Sequence, residues 1–186
     1  AASPQSGVPD ETAQAVGVAE RALRVARWLA DRTEADADVL PVPRANRKED
    51  VEDVADRLRE WLGWTVEEQT APKTTDTQTA KAMRNALQRR GVLVLHLTMD
   101  EKVTRGFSLH AGNVALIAVN TRDHVRARLF SYAHELAHLA LRDDSVCLTR
   151  NDSGIEAFCN RVAAALLMPA AAVRRYVRAR LGGRVE

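Results

Sequence analysis

The chain has 186 residues, of which 46% are hydrophobic and 28% charged, which is enough for one folded domain with a substantial core. Its 27 Lys and Arg residues nearly balance 25 Asp and Glu residues, so charge does not indicate a nucleic-acid or membrane partner. No apolar run approaches the roughly 20 residues of a membrane-spanning helix, and the start of the sequence has no hydrophobic signal core. The two cysteines are too few for a disulfide framework. We therefore expect a cytoplasmic protein.

The first third of the sequence predicts helices without an obvious site. Residues 1–11 are small and polar and lack a periodic apolar face, so they are expected to form a flexible leader. Apolar residues at helical spacing predict helices over residues 11–32 and 49–61, and Gly63 is suited to end the second. We predict that residues 12–75 form a helical segment that packs on the core.

The middle of the chain changes from helix to strand. A threonine-rich stretch over residues 67–79 indicates a loop, and the apolar spacing that follows predicts a helix up to the glycine at position 91. Short runs rich in β-branched and apolar residues then predict strands over residues 91–98, 106–110 and 114–119. Their short separations favour an antiparallel meander.

The most informative stretch is His134-Glu135-Leu136-Ala137-His138, an H-E-x-x-H pattern within a predicted helix over residues 124–142. Histidines four residues apart point from the same side of a helix and can bind one metal ion. Apolar residues on the neighbouring faces supply a buried back for this helix. The pattern therefore predicts a metal site on a buried helix.

A further ligand is predicted on the next helix, which spans residues 155–168 and is ended by Pro169. Glu156 lies in its first turn, on the same face as Asn160. A catalytic zinc uses three protein ligands and leaves one position open. We predict that His134, His138 and Glu156 bind one catalytic Zn2+ ion.

Glu135 follows the first histidine and is predicted to be the catalytic base. Its carboxylate can accept a proton from the attacking water and pass it to the leaving amine of a peptide. Asn160, or one of the aspartates Asp123, Asp143 and Asp144, is a candidate to orient a ligand imidazole, and the sequence does not choose among them.

Each of these residues also has a purely structural interpretation. The two motif histidines can be a surface pair, and Glu156 can be an acidic residue placed at a helix start by the helix dipole. For the remaining candidates we expect structural roles: histidines within strands, a packed thiol and packed tyrosines, namely His96, His110, Cys159, Tyr132 and Tyr176.

Three motifs together resemble the ImmA/IrrE family of zinc metallopeptidases. They are the run RLFSYAHELAH ending at His138, the Glu-x-x-Cys-Asn that begins at Glu156, and the Leu-Leu-Met-Pro that ends at Pro169. Arg105-Gly-Phe-Ser-Leu109 is similar to the same family upstream of the helix. The resemblance covers about residues 80–170, and it assigns the metal ligands and the base to the same residues as the pattern itself.

This resemblance implies an α+β, zincin-like metallopeptidase core. Its small antiparallel (mixed) three-stranded sheet would pack against the H-E-x-x-H helix, with additional N-terminal helices, and the domain would span residues 76–186. In zincin-type peptidases an edge strand of the sheet holds an extended substrate by backbone hydrogen bonds. Candidate residues for this strand are Ala115, Ile117 and Val119.

The resemblance also implies a function. It indicates a zinc-dependent endopeptidase that cleaves a helix-turn-helix (XRE-type) transcriptional repressor or antitoxin partner and so derepresses genes. The alternative is a non-catalytic protein-binding module of a phage or toxin–antitoxin locus that retains the zincin fold. The spacing of the first helices does not match a helix-turn-helix, so we expect a protein substrate, no membrane partner and no direct nucleic-acid binding.

Overall fold

The structure is a computed structural model that describes residues 10–33, 40–71, 73–100, 102–142 and 153–181. Within these ranges it contains seven helices and three strands. In chain order they are α1 (Asp10–Ala30), α2 (Val51–Leu62), α3 (Val66–Gln69), α4 (Asp76–Arg89), β1 (Val92–Leu97), β2 (Gly106–Ala111), β3 (Val114–Asn120), α5 (Val125–Leu141), α6 (Ser153–Leu167) and α7 (Ala170–Leu181). The predicted α+β class with a small mixed sheet is confirmed.

The sheet does not have the order of a meander. Its strands are arranged β1-β3-β2, with β3 in the centre. β2 pairs with β3 in antiparallel orientation, as predicted for a hairpin, but β1 pairs with β3 in parallel. The prediction of three antiparallel strands in sequence order is therefore wrong, because short apolar strands carry no local signal for the direction of a partner.

Helices cover both faces of this sheet. α1 packs against β2 and β3 on one face, around the buried side chains of Phe107 and Leu116. α5 packs against β2 and β3 on the other face, where α4 contacts both β1 and α5. α6 packs on α5, and α2 packs on α6 in turn, so that Leu58 of α2 and Phe158 of α6 share the larger core. The helix that carries the motif is thus enclosed on both sides.

The prediction of the strand that binds the substrate is also wrong. Ala115, Ile117 and Val119 belong to β3, which is paired on both edges and leaves no free edge for a substrate. All three residues are fully buried in the core shared with α5. β2 is the strand that borders α5 and has only one strand partner in the described part of the chain.

Local sequence signals set several helix ends. Asp50 caps α2 by accepting from the backbone N–H groups of its first turn, and Gly63 ends it with a positive φ of 62°, as predicted. The predicted loop over residues 67–79 is wrong in part. It contains α3 and the start of α4, which are introduced by capping boxes at Thr65 and Thr75.

The N-terminal prediction is corrected at both ends of α1. Residues 1–9, within the predicted leader, lie outside the described residues, and Asp10 and Glu11 are already helical. Three apolar residues in the second half of α1, Val25, Trp28 and Leu29, are exposed. The last turns still contact the sheet through Arg27, whose guanidinium donates to the Ala111 carbonyl at the end of β2. The division of the chain at residues 75 and 76 stays a prediction.

In the described residues, no single helix is long and apolar enough to cross a membrane. The pair α6 and α7 meets the length and composition together, but it is bent by 45° at the break between them.

Candidate metal centre

The two motif histidines lie on α5 on the side that faces α6. They are one helical turn apart, and their Nε2 atoms are separated by 3.1 Å. The side chain of His138 is 2% exposed and that of His134 is 14% exposed. Leu136 and Ala137, between them, are buried in the core and fix the rotation of the helix. Both imidazoles are therefore held at the edge of the core.

Glu156 completes the group from the first turn of α6. Its two carboxylate oxygens lie 3.3 Å from Nε2 of His134 and 3.3 Å from Nε2 of His138. The three donor side chains place ligand atoms within 4.8 Å of one another. The Glu156 side chain is 37% exposed, so the group is open to solvent on this side. The structure thus brings together the three residues that the sequence assigned to the metal.

The spacing of these donor atoms fits a metal ion. Tetrahedral coordination with bonds of about 2.0–2.1 Å separates neighbouring donors by roughly 3.3 Å. The 3.1 Å between the two Nε2 atoms is close to this value, and each Nε2 atom has one Glu156 oxygen 3.3 Å away. Two imidazole nitrogens and one carboxylate are also a ligand set that leaves a fourth position open. We conclude that His134, His138 and Glu156 can bind one metal ion.

The protonation of His134 favours this role. Burial lowers the pKa of its imidazole, and the charge of Glu156 together with hydrogen bonding by Asn160 and Glu156 opposes this effect. The net direction is downward, which favours the neutral imidazole that donates a lone pair to a metal.

Glu135 points from α5 toward the sheet. It is almost fully buried, and its Oε2 accepts a hydrogen bond of 2.9 Å from the Ser108 hydroxyl of β2. The net effect of the surroundings raises the pKa of Glu135 to about 8. Burial is the main cause, the Ser108 hydrogen bond acts in the opposite direction, and the charge of Glu156 adds to the increase. A cation bound between the three ligands would oppose the upward shift. The carboxylate therefore lies beside the metal ligands but is held by a different element.

Ser108 and Gly106 lie at the site, although the sequence by itself did not assign a role to either residue. Both lie on the face of β2 toward α5, since their partners in β3 are Ile117 and Val119. A Cβ atom at Gly106 would lie 2.8 Å from the carbonyl oxygen of Ala118 and 3.6 Å from Oε1 of Glu135. The glycine thus permits the close approach of β2 to the Ala118 carbonyl of β3, whereas a Cβ atom would meet Glu135 only at ordinary van der Waals distance. The sequence shows that Gly106 and Ser108 lie on the same face of the strand, but it does not show that this face packs on α5.

Of the residues proposed to orient a ligand imidazole, Asn160 contacts His134. Asn160 contributes a hydrogen bond to His134, but the ring's Nδ1 is buried without a partner among the described residues. Asn160 therefore does not orient this ring through Nδ1. Asp143 and Asp144 lie outside the described residues, and the role of Asp123 stays a prediction.

The other candidates have surroundings that agree with structural roles. Cys159 is fully buried in the core. Tyr132 is buried, and its hydroxyl lies 2.6 Å from Nε2 of His96, while Tyr176 is exposed. His110 lies at the end of β2 and is not one of the three grouped ligands.

An H-E-x-x-H helix packed on a small mixed sheet, with an acidic ligand from the following helix, defines a zincin-like metallopeptidase domain. Residues 87–182 match the peptidase family M78, described as the IrrE N-terminal-like domain. This match spans more than half of the chain, and the chain belongs to that family, which confirms the resemblance seen in the sequence. None of the curated proteins compared with the chain matches it.

Proposed function

We propose that the protein is a zinc-dependent endopeptidase. The observation that carries this proposal is the convergence of His134, His138 and Glu156 around one point, with the Glu135 carboxylate buried beside them. Two imidazoles and a carboxylate suit zinc better than Mg2+ or Ca2+, which prefer oxygen ligands. Membership of a metallopeptidase family supports the same assignment.

The residues have separable roles in this proposal. Bound zinc would supply a Lewis acid and lower the pKa of water in its open position to about 7. Glu135 takes the proton from the attacking water and delivers it to the leaving amine of the peptide. Ser108 holds the Glu135 carboxylate in one orientation through its hydroxyl.

The peptide would bind along β2. Its outer edge pairs with no other strand in the described part of the chain, and beyond Gly106, whose backbone contacts the Thr104 hydroxyl, its N–H and C=O groups can pair with an extended chain. Phe130 lies four residues before His134 on α5, about one helical turn. The centroids of the two rings are 6.1 Å apart, and the Phe130 side chain is exposed. It provides an apolar surface for a substrate side chain next to the metal centre.

The proposed substrate is a helix-turn-helix (XRE-type) repressor or antitoxin, whose cleavage derepresses genes. Support for this choice comes from the motifs that resemble the ImmA/IrrE family. The exposed side of the centre at Glu156 is compatible with a protein substrate, because the scissile segment must reach the metal from outside.

The test replaces Glu135 with Gln, which retains the shape of the side chain but not the base. The purified variant should bind zinc like the native protein and cleave a helix-turn-helix repressor encoded next to it at least about a thousandfold more slowly. Mass spectrometry of the fragments gives the rate and the cleavage site. Glu20→Gln, an exposed position on α1, is the control and should cleave at the native rate.

Two results would contradict the proposal. Full cleavage by Glu135→Gln would exclude this residue as the base. A native protein that binds the repressor without cleaving it, even when loaded with zinc, would support the non-catalytic binding module instead.

Glu156→Gln should lose bound zinc, measured by elemental analysis, because an amide is a weaker ligand than a carboxylate.

A further inference from the structure

A cleft of about 210 Å³, separate from the metal centre, lies between α4, α5 and β1. Tyr132 lines it, and this residue lies roughly 200° around α5 from His134, on the opposite side of the helix from the metal centre. The polar residues that line the cleft are Thr77, Lys81, Arg84, His96, Arg128 and Tyr132. None of them belongs to the proposed catalytic machinery.

The cleft concentrates positive charge without a matching acid. Lys81 and Arg84 come from α4 and Arg128 comes from α5, and no carboxylate lines the cleft in the described ranges. The nearby Asp76 already pairs with Nε of Arg126 at 2.7 Å. Three cations that converge on a concave surface attract anions.

Arg84 contributes a donor that has no acceptor. Its Nε atom is buried and has no hydrogen-bond partner among the described residues. A buried charged donor without a partner costs stability. An oxyanion in the cleft would accept from this group, since the planar guanidinium suits phosphate and carboxylate geometry.

Two helices begin at the cleft. Thr77 lies in the first turn of α4, and Val125 is the first residue of α5. The N-terminal end of a helix carries a partial positive charge, which favours an anion even where side chains cap part of the first turn, as Thr75 and His124 do here. The side-chain charges and the helix ends therefore favour the same sign of ligand.

His96 and Tyr132 form the polar inner part of the cleft. Nε2 of His96 lies 2.6 Å from the Tyr132 hydroxyl, and the two rings are stacked. Burial lowers the pKa of His96, and the positive charges of Arg84 and Arg128 lower it further. Arg84, Arg128 and His96 line the same cleft.

We propose that this cleft binds a compact oxyanion, the phosphate or carboxylate group of a small molecule. The volume is below the roughly 300 Å³ of pockets that enclose whole drug-sized ligands. The anionic group itself, rather than a large ligand, fits inside. Because Arg128 and Tyr132 lie on α5, the ligand would contact the helix that also carries the metal ligands.

Isothermal titration calorimetry of the full chain with inorganic phosphate, at constant ionic strength set by chloride, tests the site. Saturable binding is expected, and Arg84→Gln and Arg128→Gln should each weaken it by about tenfold. Arg89→Gln removes the same charge from α4 away from the cleft and should bind phosphate like the native protein. Adenosine monophosphate and acetate, used as competitors, distinguish a phosphate ester from a carboxylate.

The metal centre can also bind phosphate, so the same titration is made with His138→Ala. Phosphate binding that persists in this variant belongs to the cleft, whether or not the peptidase proposal holds. Arg84→Met gives an independent readout: it should raise the melting temperature without phosphate, because it removes a buried N–H donor that has no acceptor among the described residues. Absence of saturable binding, or equal losses for Arg89→Gln and Arg84→Gln, would overturn the proposal.

Discussion

The Glu135 carboxylate depends on a hydroxyl from another element for its orientation. Ser108 of β2 donates to Oε2 of Glu135 inside a buried contact, where few other groups can replace it. A buried acceptor that loses its donor pays a desolvation cost and gains rotational freedom. We regard Ser108 as a positioning residue for the proposed base.

Ser108→Ala should lower kcat for repressor cleavage by roughly tenfold and leave KM and zinc content nearly unchanged. Steady-state kinetics on the cleaved repressor measures the two constants separately. Ser131→Ala is the matched control, because Ser131 is also buried but donates to the carbonyl of Ala127 within α5. A native kcat for Ser108→Ala would exclude the positioning role.

Gly106→Ala should destabilise the protein by roughly 1–3 kcal/mol, since the added methyl group overlaps the Ala118 carbonyl and backbone must move. Chemical denaturation measures the change. Gly17→Ala, within α1, is a control with the opposite expected sign, because its Cβ meets only the end of the Arg21 side chain at 3.5 Å. It should stabilise by about 0.5–1 kcal/mol through helix propensity. Equal effects of the two substitutions would contradict the close approach at Gly106.

At the scale of elements, α2 is joined to the end of α6 by a buried arginine. Arg59 donates to the Leu166 carbonyl and to Oε1 of Gln69, and Gln69 donates to the Leu167 carbonyl at 2.9 Å. The guanidinium also stacks on the Trp64 ring at 4.6 Å. These bonds satisfy carbonyl groups at the C-terminal end of α6, where positive charge is favoured.

Arg59→Ala should cost roughly 2–4 kcal/mol of unfolding free energy, because it removes the buried donor to the Leu166 carbonyl and to Oε1 of Gln69. Arg59→Lys should recover only part of this, since an ammonium group cannot reproduce the planar fork. The free energies come from urea unfolding. The comparison is Arg126→Ala, whose exposed pair with Asp76 should contribute at most about 1 kcal/mol. Similar losses at both positions would show that the Arg59 contacts are not specific.

At the scale of the whole molecule, the metal would link two helices. His134 and His138 belong to α5 and Glu156 belongs to α6, so one ion would connect elements that are separated in sequence by residues 142–152. An ion that binds only the folded state adds RT ln(1 + [L]/Kd) to its stability.

A chelator should therefore lower the melting temperature of the zinc-loaded protein. If zinc is present at a hundred times its dissociation constant, the loss is about 2.7 kcal/mol, or roughly 5–10 °C for a chain of this size. Differential scanning calorimetry with and without chelator measures it. His138→Ala should melt at the same temperature in both conditions. An unchanged melting temperature for the native protein would contradict a metal bridge between α5 and α6.

Much of the secondary structure could be predicted because its signals are local. The spacing of apolar residues and the end residues Gly63 and Pro169 specify α2 and α6 within a few residues. The capping boxes at Thr65 and Thr75 were equally local and would have revealed α3 and the true start of α4. The exposure of Val25, Trp28 and Leu29 near the end of α1 was not predictable in this way, since it depends on tertiary contacts and not on local spacing.

The sequence alone determined the donor set of the site, because the four-residue spacing of His134 and His138 has a fixed geometry on any helix and Glu156 follows on the next one. Tertiary structure decided the rest. Only the order β1-β3-β2 made β3 central and left β2 beside α5, so Ser108 rather than any residue of β3 reaches Glu135. Strand order and the packing of distant helices arise from long-range burial of apolar faces, which local residue spacing does not encode.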